Sequence, residues 1–135
     1  MNEKAKKLMK EQRMGIKKGL EDHFKLLVVE DELAEDEEEQ LQETGYNCFT
    51  IEYGEFQPSS NERTISQNIY VSYLSENQDD LDEQTIDIIS LVSKVKKLSF
   101  VTSKNDRLQM KDTDRYIDRV FFTFRRMIPI ECIST

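Results

Sequence analysis

Few side chains in this chain have a type and spacing suited to chemistry. His23 is the single histidine, set in a lysine-rich segment, and no motif pairs it with a serine or cysteine nucleophile. Two acid pairs, Asp79/Asp80 and Asp112/Asp114, have the right groups for acid–base or two-metal work. Nothing ties either pair to a nucleophile or base, and their positions read as a helix cap and a turn. Cys48 and Cys132 lie far apart and form no CxxC, so they are read as two reduced thiols near strand positions. Phosphate-binding loops, dinucleotide fingerprints, nucleophile elbows and the HExxH zinc motif are all absent from the sequence. The acidic run over 30–43 does not follow the calcium-loop pattern. The expectation is a protein without catalytic residues, metal or cofactor.

The elements that would carry such residues form one domain, 1–135, since 135 residues suffice for a single core. Hydrophobic residues make up 37% and charged residues 34%, which implies a modest core and strongly solvated or partner-covered segments. With 4 Gly and 2 Pro, long flexible linkers are not expected. No apolar stretch is long enough for a bilayer, and the first residues lack the apolar core of a secretory signal, so the cytoplasm is the default expectation.

The net charge of −8 and pI near 4.8 argue against general nucleic-acid binding, which wants a basic footprint. That net value hides segregation. Residues 1–28 are basic, 30–43 carry only acids, 76–87 are acidic and 94–126 are basic. Alternating blocks of this kind suit docking on copies of the chain or on neighbours; solvation of separate faces would account for them equally.

The hydrophobic spacing predicts a helix over about 3–28, with Met9, Ile16, Leu20, Phe24 and Leu27 on one stripe. Gly15 and Gly19 weaken it and would permit a close helix contact or a bend. The 30–43 block reads as a solvated loop or short helix, with Leu33 and Leu41 as weak punctuation and Gly45 as a stop. Two strands follow. Phe49, Ile51 and Tyr53 share one face of the first; Ile65, Ile69, Val71 and Tyr73 share one face of the second. A second helix runs from Asn77 or Asp79, as cap, to a last turn holding Lys94, Lys96 and Lys97. Its stripe is Leu81, Ile88, Ile89, Val92 and Val95. "LSFVTS" reads as a strand, "KND" as a turn, "RLQM" as an extension, "KDTD" as another turn, and the remainder as a long last strand. The fold class is α+β: helix, β-hairpin, helix, β-hairpin, in an antiparallel or mixed sheet with helices on one face.

The last strand, "DTDRYIDRVFFTFRRMIPIE", poses the clearest functional question. One face carries Tyr116, Val120, Phe122, Phe124 and Ile128, broken by Asp118 and Arg126. The other mixes Arg115, Arg119 and Arg125 with Ile117, Phe121 and Met127. An arginine-rimmed apolar face is costly unless covered, and these residue types are enriched at interface hot spots. Arg115, Arg119, Phe121, Arg125 and Met127 are therefore interface candidates. Asp79, Asp80, Asp82 and Glu83 are their charge complements. Pairing of the arginines with acids on neighbouring strands is the competing reading.

The order of elements, the long N-terminal amphipathic helix, "NIYVSYLSENQDDLDEQTIDIISLVSKV" as strand into helix, and the aromatic closing strand resemble the tail-terminator and tail-completion proteins of long-tailed phages. The likeness is one of pattern and size and covers nearly the whole chain, and no fixed motif maps family sites onto numbered positions. It implies a hexameric ring at the head-proximal end of the tail tube, a virion component assembled in the host cytoplasm. Its partners would be copies of itself, the tail tube protein and the head-completion or connector protein. DNA would pass through without specific binding. No enzyme activity, cofactor or membrane is implied. Within such a ring Glu35, Asp36, Glu37, Glu38 and Glu39 would line the lumen or dock a neighbour. Two rivals stand beside it: a soluble adaptor or inhibitor whose acids mimic nucleic acid towards a basic partner, and a small metal-dependent enzyme built on the acid clusters.

Overall fold

The computed structural model describes residues 1–31, 34–109 and 114–131; Leu33, Asp112, Cys132 and most of the KDTD turn lie outside them. The elements run α1 (Glu3–Phe24), β1 (Leu27–Glu30), α2 (Glu35–Thr44), β2 (Cys48–Pro58), β3 (Thr64–Ser75), α3 (Leu81–Ser93), β4 (Leu98–Gln109) and β5 (Tyr116–Pro129). The five strands form one mixed sheet in the order β1-β2-β3-β5-β4. β1 pairs parallel with β2, and every other pairing is antiparallel. The α+β class and the order of helix, hairpin, helix, hairpin are as the sequence predicts.

The element limits depart from the sequence reading at α1, α3 and β4, each for a physical reason. The first helix stops at Phe24, because Lys25 takes a left-handed conformation and donates its N–H back to the Glu21 carbonyl at 2.9 Å. The Leu-Leu-Val-Val run that follows has no helical period and is rich in β-branched residues, so it forms β1 instead. Of the two forms expected for the acidic segment, loop or short helix, it takes the helix, α2, despite its like charges. Four acids in its first turn complement the helix dipole, Glu37 Oε1 accepts the Ala34 N–H at 3.0 Å, and Gly45 ends it at a φ of 102°. α3 begins at Leu81 with Asp80, not Asn77 or Asp79, at the N-cap position, and it ends at Ser93, so Lys94, Lys96 and Lys97 follow it. "KND" is no turn. It lies inside the continuous strand β4, where Asn105 and Asp106 face Val120 and Arg119 across the ladder.

α1 and α3 cover one face of the sheet. Ile16 and Leu20 from α1 and Ile88 and Val92 from α3 meet Val28, Phe49, Ile51, Ile69, Val71, Tyr73, Val120, Phe122 and Phe124 in the main core. Each fully buried large apolar side chain there contributes roughly 1.5–3 kcal/mol. Gly15 of α1 lies against Val95, just after α3, where a Cβ would stand 3.4 Å from Val95 Cγ2, at the near limit of ordinary contact. A smaller cluster forms on the opposite face, where Leu41 of α2 packs with Tyr46, Cys48 and Ile117, flanked by Leu27 and Leu74. α2 thus covers one end of the second face, and Phe121, Thr123, Arg125 and Met127 lie along β5 beyond it.

Candidate interaction surfaces

β5 lies between β3 and β4, so its second face is flanked on both sides by strands. Its arginines are engaged within the chain. Arg115 makes a two-pronged hydrogen bond to Glu76, Nε to Oε1 at 2.6 Å and Nη2 to Oε2 at 2.8 Å. Glu76 is buried and also accepts the Tyr46 N–H at 2.8 Å, while the guanidinium lies 5.9 Å from the centre of the Tyr46 ring. The Arg115 hydrogen bonds hold the Glu76 carboxyl below its ordinary range. This group ties the start of β5 to the loop after β3.

Arg119 faces Asp106 across the ladder and binds it through Nε at 3.0 Å and Nη2 at 2.6 Å, which lowers the Asp106 carboxyl pKa. One register step on, Arg107 of β4 binds Asp118 of β5 at 2.9 Å. The competing expectation of cross-strand pairing therefore describes Arg115 and Arg119. Arg125 is exposed, opposite Asn68 and Ser99. Phe121 is half-buried and stacks on Tyr70 at 5.4 Å, and Met127 is half-buried opposite Ser66.

The proposed charge complements are elsewhere. Asp79, Asp82 and Glu83 are exposed around the first turn of α3, on the helix layer covering the other face of the sheet. Asp80 Oδ2 accepts a hydrogen bond from Gln84 at 2.7 Å. The chain does not bring these acids to the β5 arginines. Glu35, Asp36, Glu38 and Glu39 are exposed on α2, and Glu37, which caps the helix start, is half-buried.

The longest open surface is one the sequence did not single out. β4 is an edge strand of 12 residues, exposed over nearly its whole length. Phe100, Val101 and Leu108 remain 39%, 42% and 39% accessible, and Tyr116 on the adjoining strand is 50% accessible. A bulge at Val101 kinks the strand near its start. The opposite edge, β1, has four residues.

A second arrangement missed by the sequence reading is a polar network inside the main layer. Arg126, which breaks the apolar face of the last strand, is buried in that face at 4% accessible. Its Nε donates to Gln67 Oε1 at 2.8 Å, Nη2 donates to the same oxygen, and Nη1 reaches Gln12 Oε1 at 3.4 Å. Its Cζ lies 5.1 Å from the centre of the Tyr53 ring. Gln67 in turn donates to the Gly54 carbonyl at 2.7 Å, and Gln12 donates to the Lys96 carbonyl at 3.0 Å. The available signal was phase. Gln12, Gln67 and Arg126 all occupy positions where the helix or strand period calls for an apolar residue.

Among the described residues, no group of three or more His, Cys, Asp or Glu side chains is arranged to hold a metal ion. His23 Nε2 lies 3.7 Å from Asp87 on an exposed helix surface. No helix among the described residues is long and apolar enough to cross a membrane. No protein-family model matches the chain, and a search of curated proteins found no match.

Proposed function

We propose that this chain is a structural assembly subunit that joins copies of itself, edge to surface, into a closed ring. The observation that carries this reading is β4. A long, open edge strand with exposed apolar side chains offers a row of unpaired backbone donors and acceptors for a second strand, on either side of its bulge and its charged middle. The exposed Lys104 in its middle makes an unmatched partner costly, which favours one specific docking over general aggregation. A ring needs two different complementary patches on each subunit. The acidic outer surface of α2 and the acids of α3 are candidates for the second. The finer reading, a ring at the head-proximal end of a long-tailed phage tail tube that ends tube growth and joins the connector, rests on the resemblance in element order.

Native mass spectrometry across concentration and salt, alone and with tail tube protein, tests both levels. A closed oligomer that Thr102→Pro disperses supports assembly through β4. A wild-type chain that stays monomeric in every condition, or an oligomer indifferent to Thr102→Pro, overturns it. The acid-mimic adaptor keeps one specific support. Among the described residues, Glu35, Asp36, Glu38 and Glu39 make no ion pair within the chain, so their charge is available to a basic partner. Replacing those four acids with glutamine or asparagine would abolish binding to such a partner.

A further inference from the structure

A cleft of about 460 Å³ opens between α1, the end of β1 and the sheet, with Arg126 and Tyr53 among its lining residues. Its chemistry is unusual for a structural gap. A guanidinium carries five N–H donors, and buried cations are normally paired with an anion. Arg126 has neutral partners, Gln67 and Gln12, which take three of those donors; the other two have no acceptor among the described residues. The Tyr53 hydroxyl beside it is buried and has no hydrogen-bond partner. Lys6 and Lys10, both exposed on α1, stand at the mouth. Arg13 also lines the cleft and is bound to Glu30 at 2.6 Å, so that acid is already neutralised. Asp31 is the remaining carboxylate of the lining and is exposed.

We infer that this cleft is a binding site for a phosphate-bearing small molecule, with Arg126 and the Tyr53 hydroxyl donating to the oxyanion and Lys6 and Lys10 holding its outer charge. Such a ligand supplies what the site lacks: an anion for a desolvated cation and an acceptor for each free donor. The cleft holds a di- or triphosphate group but no folded partner. The site is on the α1 side of the sheet and is independent of β4, so the inference stands or falls apart from the assembly reading.

The test is calorimetric titration of the full chain with sodium pyrophosphate, and separately with ATP, in phosphate-free buffer at low salt. Saturable binding of one pyrophosphate per chain is expected. The exposed-site variant K6Q/K10Q should weaken it at least about ten-fold, and K18Q/K94Q, which removes the same charge elsewhere, should leave it within about two-fold. Tighter binding of ATP than of pyrophosphate would assign the site to a nucleotide, and equal binding to a free polyphosphate. R126M should abolish binding; since that side chain is buried, the lysine variants keep the result independent of folding. No heat up to about 10 mM pyrophosphate, or equal weakening by both lysine variants, would overturn the assignment.

Discussion

The buried Arg126 network makes a quantitative demand on stability. Gln67→Leu removes the acceptor for two charge-bearing hydrogen bonds and leaves the guanidinium on Gln12 alone, at 3.4 Å. It also orphans the Gly54 carbonyl, which Gln67 caps at 2.7 Å. With hydrogen bonds to charged groups worth roughly 1.5–3 kcal/mol each, and the buried cation left under-solvated, the loss should be about 3–4 kcal/mol. Arg126→Met behaves differently. It orphans the Gln67 oxygen at a cost of roughly 1–3 kcal/mol, but it also removes a desolvated charge that has no counter-ion, so the net change should lie within about 1 kcal/mol. The double variant Q67L/R126M places two apolar side chains together and should recover most of the first loss. The cycle therefore carries a coupling of about 2–3 kcal/mol. Urea unfolding followed by far-ultraviolet circular dichroism measures all four proteins, with an unchanged slope showing that the midpoint shifts report stability. Single-variant losses that simply add, to within about 0.5 kcal/mol, would refute the reasoning, because the two side chains would then not share a network.

Three further outcomes are expected. Glu76 and Asp106 are both held below their unfolded pKa values by arginine hydrogen bonds, so their stabilisation is fully present above about pH 5 and is lost as pH falls through the lower native values. The urea midpoint of the natural chain should therefore drop more steeply below pH 4 than that of E76Q/D106N, and parallel curves would contradict the pairing. Gly54→Ala puts a Cβ 3.1 Å from the Tyr70 ring and 3.3 Å from the Asn68 carbonyl and should cost about 1–3 kcal/mol in the same unfolding assay, whereas Gly19→Ala, with open space around it, should not destabilise. Burial pushes the Cys48 thiol up to about 11, so in a Cys132→Ser background Ellman's reagent at pH 8 should react only after denaturant is added.

How far the fold could be read depended on whether periodicity and packing agreed. Ile88 and Val92 recur at helical spacing and are buried, so α3 was readable. Phe49 and Ile51, and Ile69, Val71 and Tyr73, alternate and are buried on one face, so β2 and β3 were too. β1 was absorbed into the first helix because an unbroken apolar run carries no period to distinguish strand from helix. β4 was split because an edge strand exposed on both faces has no reason to alternate, and Lys104, Asn105 and Asp106 look like turn residues. Arg119, Phe121, Arg125 and Met127 share one face of β5 and Arg115 precedes the strand, as their alternation implies. Their partners were hidden because register decides whether Arg119 meets Asp106 or solvent, and register is a property of two strands. Strand phase puts Arg126 on the core face of β5, but its partners Gln67 and Gln12 lie on other elements and are not legible from that strand alone.

The position of β5 between β3 and β4 has a consequence for how the chain closes. β2 with β3 and β4 with β5 are hairpins, each joined by a short connection, and such pairs close at little entropic cost. The seam between them, β3 against β5, runs unbroken from Ser75 opposite Asp118 to Thr64 opposite Pro129 and loops out all of α3 and β4. A still longer closure is the hydrogen bond from the Glu131 N–H to Asn2 Oδ1 at 2.7 Å, which spans almost the whole described chain. Local pairs can form at once, but the seam must wait for a large loop to shut before its contacts repay the ordering. The two halves of the sheet are thus separately available early, and the step that commits the chain to its native topology is the meeting of β3 and β5 at the middle.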